Sequence, residues 1–233
     1  MENVDSSIPI HLGFILDGNR RWARERGLST LEGHRKGYEN LKTIARAAFD
    51  KGVKFVSAYC FSTENWSRAQ EEVDYLMNLA MNLAVKDAKQ LIKENIKIVV
   101  MGIEERVPTR LIKAWQDAEE KSKNNTGGTL AICFNYGGQR EISDAVKKIV
   151  QSAVSVEEVT PELITENLYH PDVPQIDLMV RTSGEQRISN FMLWRMAYAE
   201  MYFADVHWPA FTIEKLDQAL QVFSQRNRRF GGN

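Results

Sequence analysis

What this chain lacks narrows its function before any motif does. Its 233 residues carry 30 Lys+Arg against 31 Asp+Glu, a net charge of −1. No global field therefore draws it to nucleic acid or to an anionic membrane surface, and any anion site must be local. Only two cysteines occur, Cys60 and Cys133. Both sit inside apolar runs, read as reduced core residues, and fit a cytoplasmic setting. No apolar run approaches the length of a transmembrane segment, and no signal-type h-region follows Met1. Several catalytic signatures are missing too. There is no Gly-x-x-x-x-Gly-Lys-Ser/Thr, no Gly-x-Gly-x-x-Gly after the first apolar strand, no zinc-like Cys/His spacing and no Gly-x-Ser-x-Gly. P-loop, dinucleotide, zinc and hydrolase-elbow readings all lose support.

What is present is an alternation of short apolar runs and amphipathic stretches. Strands are expected at 10–16, 55–61, 96–101, 129–135, 176–180 and 201–206. Helical spacing of apolar residues marks 34–51, 70–94, a helix opened by Pro108, one around 142–149 and one at 213–226. A looser stretch, 152–175, is expected to hold one short helix. Near-continuous apolar strands alternating with helices predict an α/β fold: a single domain over 1–233 with a central, mostly parallel six-stranded sheet flanked by helices. Residues 1–8 are expected to be unordered at the terminus.

In such a sheet ligands bind beyond the carboxyl ends of the strands. Those ends collect Asp17-Gly18-Asn19-Arg20-Arg21-Trp22, Ser62-Thr63-Glu64-Asn65-Trp66-Ser67-Arg68, Asn135-Tyr136-Gly137-Gly138, and Arg181 to Ser189, which is read as a loop leading into a helix start. Arginine forks suit phosphate oxygens, and carboxylates among them suit a hard cation such as magnesium that bridges carboxylate and phosphate. The set reads as a diphosphate pocket with a metal. Blander roles stay open residue by residue. Asp17 could cap a helix, Asn65 could be a turn residue, Trp22 and Trp66 could be packing, and His34 could be a polar residue near a helix start.

The run His11-Leu12-Gly13-Phe14-Ile15-Leu16-Asp17-Gly18-Asn19-Arg20-Arg21-Trp22-Ala23 is similar to the opening motif of the cis-prenyltransferases, the undecaprenyl diphosphate synthase family. Phe61 to Arg68 resembles the second motif. Asn135 to Gly138, Arg181 to Trp194, Ala199 to Phe203 and the tail Arg229-Phe230-Gly231-Gly232 resemble later ones, in order across nearly the whole chain.

The resemblance implies a magnesium-dependent isoprenyl transferase that condenses isopentenyl diphosphate onto an allylic diphosphate, here farnesyl diphosphate. The fold it implies has a hydrophobic tunnel, and the expected product is a Z-polyprenyl diphosphate, the C55 lipid carrier precursor. It implies Asp17 as the essential carboxylate, and Asn65 as proton acceptor, through diphosphate or water. Gly18, Asn19, Arg20, Arg21 and His34 would hold the allylic diphosphate. Arg181, Arg187 and Ser189, with Ile188 beside them, would hold isopentenyl diphosphate. Ser62, Thr63, Glu64, Trp66, Arg68 and Trp22 complete the substrate walls, and Glu200 would share the Mg²⁺ with Asp17. A homodimer is implied, along with transient membrane contact through the product. Two positions depart from the family pattern: Thr30, where many relatives have arginine, and Gln186, where many have histidine. Cys60 and Phe134 are candidates for setting tunnel depth. The alternatives are a short- or medium-chain Z-prenyl synthase and a non-catalytic partner subunit. The absence of any Asp-Asp pair speaks against a trans-type synthase.

Overall fold

The computed structural model describes residues 8–226. The tail motif 229–232 lies outside the described residues. Ile8, within the stretch expected to be unordered, packs against the core.

Six parallel strands form one sheet in the order β3-β4-β2-β1-β5-β6: β1 His11–Ile15, β2 Phe55–Ser62, β3 Ile96–Met101, β4 Gly128–Tyr136, β5 Leu178–Arg181 and β6 Glu200–Phe203. Every residue of β1 and β4 is buried. Both faces of the inner strands are therefore covered, which is why their sequences run apolar instead of alternating. The period of two still sorts the side chains. Leu130, Ile132 and Phe134 join the larger core cluster on one face, while Ala131 and Cys133 join the smaller on the other.

The helices are α1 Asn19–Glu25, α2 Thr30–Asp50, α3 Gln70–Asn82, α4 Ala88–Lys93, α5 Thr109–Ser122, α6 Gly138–Gln151, α7 Pro161–Asn167 and α8 Ile213–Ser224. A π turn, Leu83–Asp87, joins α3 to α4, so the single amphipathic helix expected over 70–94 carries an insertion of the kind often found at functional sites. α2 begins four residues before its expected start. Ser29 accepts from Glu32 N–H and Glu32 answers in a capping box, a signal that apolar spacing does not carry.

The segment after β5 does not open a helix. Ser183, Ser189, Asn190 and Met192 all have positive φ, and such left-handed positions break helical propagation. No helix among the described residues is long and apolar enough to cross a membrane.

Candidate active site

Chain order reverses around β1, which lies between β2 and β5. A crevice opens at the carboxyl ends of strands where the order reverses. Asp17 follows β1 there, Ser62 ends β2 and Arg181 ends β5.

Asp17 is held from both sides. Arg21 Nη2 donates to its Oδ1 at 3.0 Å and Arg181 Nη2 to its Oδ2 at 2.9 Å. Burial works against ionisation, but the Arg181 and Arg21 guanidiniums outweigh it and keep the carboxyl below the usual carboxylate range. Arg181 is itself buried, at 3% exposure. Its Nη1 donates to Ser189 Oγ at 2.8 Å and to the Arg187 carbonyl. Arg21 also donates to Glu185, which takes a second bond from Arg187.

Gly18 is required where it stands. Its φ is +103°, and a Cβ there would lie 2.0 Å from Ser183 Oγ and 2.7 Å from His207 Nδ1. The residue is the N-cap of α1, whose first turn no side chain caps. Its leading N–H groups are left for an anion.

Two adjoining cavities share Leu16, Asp17, Asn19, His34 and Arg68. One, of about 710 Å³, is walled by Gly18, Arg20, Arg21, Arg24 and Thr30. The other, of about 600 Å³, passes Ser62, Glu64, Asn65, Arg181 and Ser189 and then turns apolar. Its walls become Tyr38 and Leu41 of α2, Leu76, Leu79 and Ala80 of α3, Leu83, Trp115, Ile132 and Phe134. Cys60 also lines it. Burial pushes its thiol up to about 12, so it is a neutral wall group.

Between the cavities His34 Nε2 lies 2.9 Å from Glu72 Oε1, which also accepts from Arg68 Nη1 at 2.9 Å. Desolvation lowers the His34 pKa against the pull of Glu72. The ring is therefore neutral at pH 7, donating through Nε2 to a carboxylate that His34 and Arg68 keep ionised.

Of the residues singled out from sequence, Asp17, Gly18, Asn19, Arg20, Arg21, His34, Ser62, Glu64, Asn65, Arg68, Arg181 and Ser189 line these cavities. Trp22, Thr63, Trp66, Arg187 and Ile188 line neither. Trp22 is stacked by Arg26, and Trp66 packs on Phe61 while its Nε1 donates to Asn135. Asn65 Oδ1 accepts from Ser62 N–H at 3.2 Å, which spends part of its acceptor capacity on a turn and leaves its amide hydrogens for the cavity.

Glu200 does not join Asp17. It opens β6 opposite Leu178, which pairs with Leu12. Glu200 thus lies at the amino end of the sheet, two strands from β1 and about 16 Å from Asp17 along the strand direction alone. Its carboxylate accepts from Arg226. Within one chain the two carboxylates do not share a cation.

Tyr59, Glu72, Trp115 and Asn190 escaped the sequence reading. Asn190 lines the apolar cavity and donates to Glu64 at 3.3 Å. Glu72 carried only a weak signal, a carboxylate four residues after Arg68, which is extended and precedes α3.

Among the described residues no group of three or more His, Cys, Asp or Glu could cage a metal. The donor set still suits magnesium, which commonly takes one carboxylate, substrate phosphates and waters. Two buried atoms at the mouth lack partners, the acceptor Asn19 Oδ1 and the donor Arg181 Nε. Asn19 Oδ1 is packed against Gly37 of α2.

The comparisons with known proteins agree with this geometry. Residues 15–231 match the family model described as "Putative undecaprenyl diphosphate synthase". The chain is 44% identical to an isoprenyl transferase of Thermotoga maritima over 97% of each chain. It is 41% identical to the farnesyl-diphosphate-specific ditrans,polycis-undecaprenyl-diphosphate synthase of Micrococcus luteus, over 99% of this chain and 94% of that one. Among solved structures, lavandulyl diphosphate synthase from Lavandula x intermedia, in complex with dimethylallyl diphosphate, superposes with a TM-score of 0.93. The identity is 32%, over 97% of this chain and 99% of that one.

Proposed function

The chain belongs to the undecaprenyl diphosphate synthase family of cis-prenyltransferases, and from that premise we propose that it is a magnesium-dependent synthase extending a farnesyl-sized allylic diphosphate with isopentenyl diphosphate. One observation carries the reading: an ionised Asp17 sits between Arg21 and Arg181 at the mouth of a cavity whose further walls are apolar.

Ionising an allylic diphosphate puts negative charge on the leaving group and positive charge on carbon. Arg20, Arg21, Arg24 and Arg68 surround the first cavity and stabilise the former. The apolar walls beyond Asn65 exclude water from the latter. Arg181 and Ser189, with the guanidinium of Arg187 beside them, hold the isopentenyl diphosphate. Asp17 would hold Mg²⁺ together with diphosphate oxygens, and the cation would neutralise charge on the departing group. Asn65 donates through its amide to orient the isopentenyl diphosphate. An amide is too weak a base to keep the proton, so diphosphate or water receives it.

Kinship with the Micrococcus luteus enzyme favours a C55 product. A second reading, a short- or medium-chain product, is favoured by the cavity. Benzene fills a site of about 150 Å³, or ~25 Å³ per carbon. At that rate about 600 Å³ admits roughly 24 non-hydrogen atoms, a farnesyl chain with its diphosphate. A homodimer through the exposed edge beside β6, where Tyr198 is 71% exposed, and a cytoplasmic site of action with transient membrane contact through the product belong to the same proposal.

Incubation with labelled isopentenyl diphosphate, farnesyl diphosphate and Mg²⁺, with products sized by reverse-phase chromatography, tests it. A ladder ending near C55 supports the carrier reading, and arrest after one to a few additions supports the short-chain one. No elongation of any allylic primer sinks both.

A further inference from the structure

Two residues that the sequence motifs contain, Trp66 and Asn135, line neither cavity. Both belong instead to the support of the turn Thr63–Ser67, which follows β2 and carries Glu64 and Asn65 into the apolar cavity. No residue of that turn is buried. A surface turn without buried side chains is easily displaced, so the groups it presents need an anchor from outside it.

Trp66 supplies the first half of that anchor. Its ring meets Phe61 of β2 edge-on, with 5.0 Å between centroids, and its Nε1 donates to Asn135 Oδ1 at 2.7 Å. Asn135 is 1% exposed, with φ +50°. Its Nδ2 donates to the Ile103 and Glu105 carbonyls, each at 2.8 Å. One amide thus fastens the loop after β3 to the Trp66 ring. Ile103 N–H returns a bond to the Asn135 carbonyl at 3.2 Å, and Arg140 of α6 holds the Glu105 carboxylate at 2.8 Å.

The second half is Arg106, the next residue of that loop. Its guanidinium carbon lies 4.5 Å from the centroid of the Trp66 ring, the geometry of a cation–π contact. Among the described residues that guanidinium makes no hydrogen bond or ion pair. The backbone of Arg106 has φ +67°, a left-handed conformation that is costly for any residue but glycine and that clusters at functional sites. An exposed arginine is therefore held in a strained backbone with its charge over the residue that follows Asn65.

We infer that Arg106 is a positioning residue for prenyl transfer: by stacking on Trp66 it holds the turn Thr63–Ser67 in the setting that aims Asn65 into the cavity. This rests on the prenyl-transfer reading and adds to it a residue outside both cavities. Arg68, the cap of the same turn, is held separately by Glu72 of α3. Arg106 therefore acts on the isopentenyl diphosphate side and leaves the allylic side alone.

The test measures kcat and both KM values for Arg106→Gln, Arg106→Lys and Arg106→Gly in the full chain, alongside unfolding midpoints. A contact can bias an element by no more than its own strength. Arg106→Gln is thus expected to lower kcat and raise the isopentenyl diphosphate KM, together a loss of about two- to five-fold in kcat/KM, the scale of one cation–π contact at an exposed site. The farnesyl diphosphate KM and the midpoint should stay at wild-type values. Arg106→Lys keeps a cation over the ring and should fall between wild type and Arg106→Gln. Arg106→Gly adopts the positive φ without strain, yet should lose as much as Arg106→Gln, because the side chain is what acts. Wild-type kcat/KM in Arg106→Gln or Arg106→Gly, an Arg106→Lys no better than Arg106→Gln, or an equal change in the farnesyl diphosphate KM overturns the inference while leaving prenyl transfer intact. Failure of the wild type to condense any primer overturns the prenyl-transfer reading, and this inference with it.

Discussion

Two buried arginines, fourteen residues apart in sequence, meet carboxylates in opposite ways. Arg195 and Glu141 are each 1% exposed. Arg195 Nε donates to Val173 O, Nη1 to Glu141 at 2.7 Å, and Nη2 to Tyr169 O and His170 O. Glu141 also accepts from Tyr136 OH and Tyr169 N. All three guanidinium nitrogens and both carboxylate oxygens are used, and the cluster ties Tyr169, His170 and Val173 to α6. Arg181 is nearly as buried, but its Asp17 partner is 27% exposed at the cavity and its Nε has no partner. One pair is finished by the protein. The other leaves its carboxylate open to the cavity, as the catalytic role proposed for Asp17 requires.

The sharpest break of the comparison removes one carboxylate from each pair. Asp17→Ala is expected to lower kcat on the order of 10³-fold, the scale of losing one preorganised charge at a reacting centre. Unfolding in denaturant should stay close to wild type, because the site opens on solvent. Glu141→Gln should do the reverse. An uncompensated arginine in a closed cluster costs about 3–5 kcal/mol, readable as a lower denaturant midpoint, while enzyme that remains folded keeps its turnover. Equal stability losses in both variants would erase the distinction.

Next in size is acid. His11, buried at the start of β1 with Nε2 2.7 Å from Ser57 Oγ and Nδ1 2.9 Å from Pro174 O, belongs to the finished region. Burial lowers its pKa from 6.5 to about 4. Below pH 6.5 the unfolded chain binds a proton that the folded chain refuses. Stability therefore falls as pH drops from 6.5 to about 4 and stops falling from this cause below that. The loss is about 3 kcal/mol. His11→Gln should flatten the slope in this window, as measured by unfolding midpoints at stepped pH, and an unchanged slope would assign it to other groups.

The same contrast explains what was legible in the sequence. Strands β1 to β4 and the long helices announced themselves through apolar runs and spacing, because the core is what sets those patterns. The site was legible where residue types gather at strand ends, as at Asp17, Arg181 and Ser189. The place of Glu200 was not legible because a motif gives residue types in order, while the register Leu178–Glu200 decides which end of the sheet a residue occupies. Trp115 was invisible for a different reason. On α5 it has the spacing of a core residue, and only three-dimensional packing shows that its Nε1 lacks a partner.

The smallest expected effect concerns a cation that moved. Thr30 lines the diphosphate cavity at the position where the family pattern places arginine, as first residue of α2 behind the Ser29 cap. Arg24, exposed and one helical turn beyond Arg20, lines that cavity too. A guanidinium supplied from α1 faces the same cavity, so under the proposed function the departure at Thr30 should cost little while Arg24 is present. Arg24→Ala should raise the allylic KM about five- to ten-fold, the scale of one charge-assisted hydrogen bond, with kcat nearly unchanged. Adding Thr30→Arg to that variant should recover most of the loss, since the two positions face one cavity. Initial rates at varied farnesyl diphosphate distinguish the outcomes. Recovery means that the site counts cations and tolerates where they originate. A double variant no better than Arg24→Ala would mean that the arginine must come from α1, and that Thr30 leaves space the substrate itself uses.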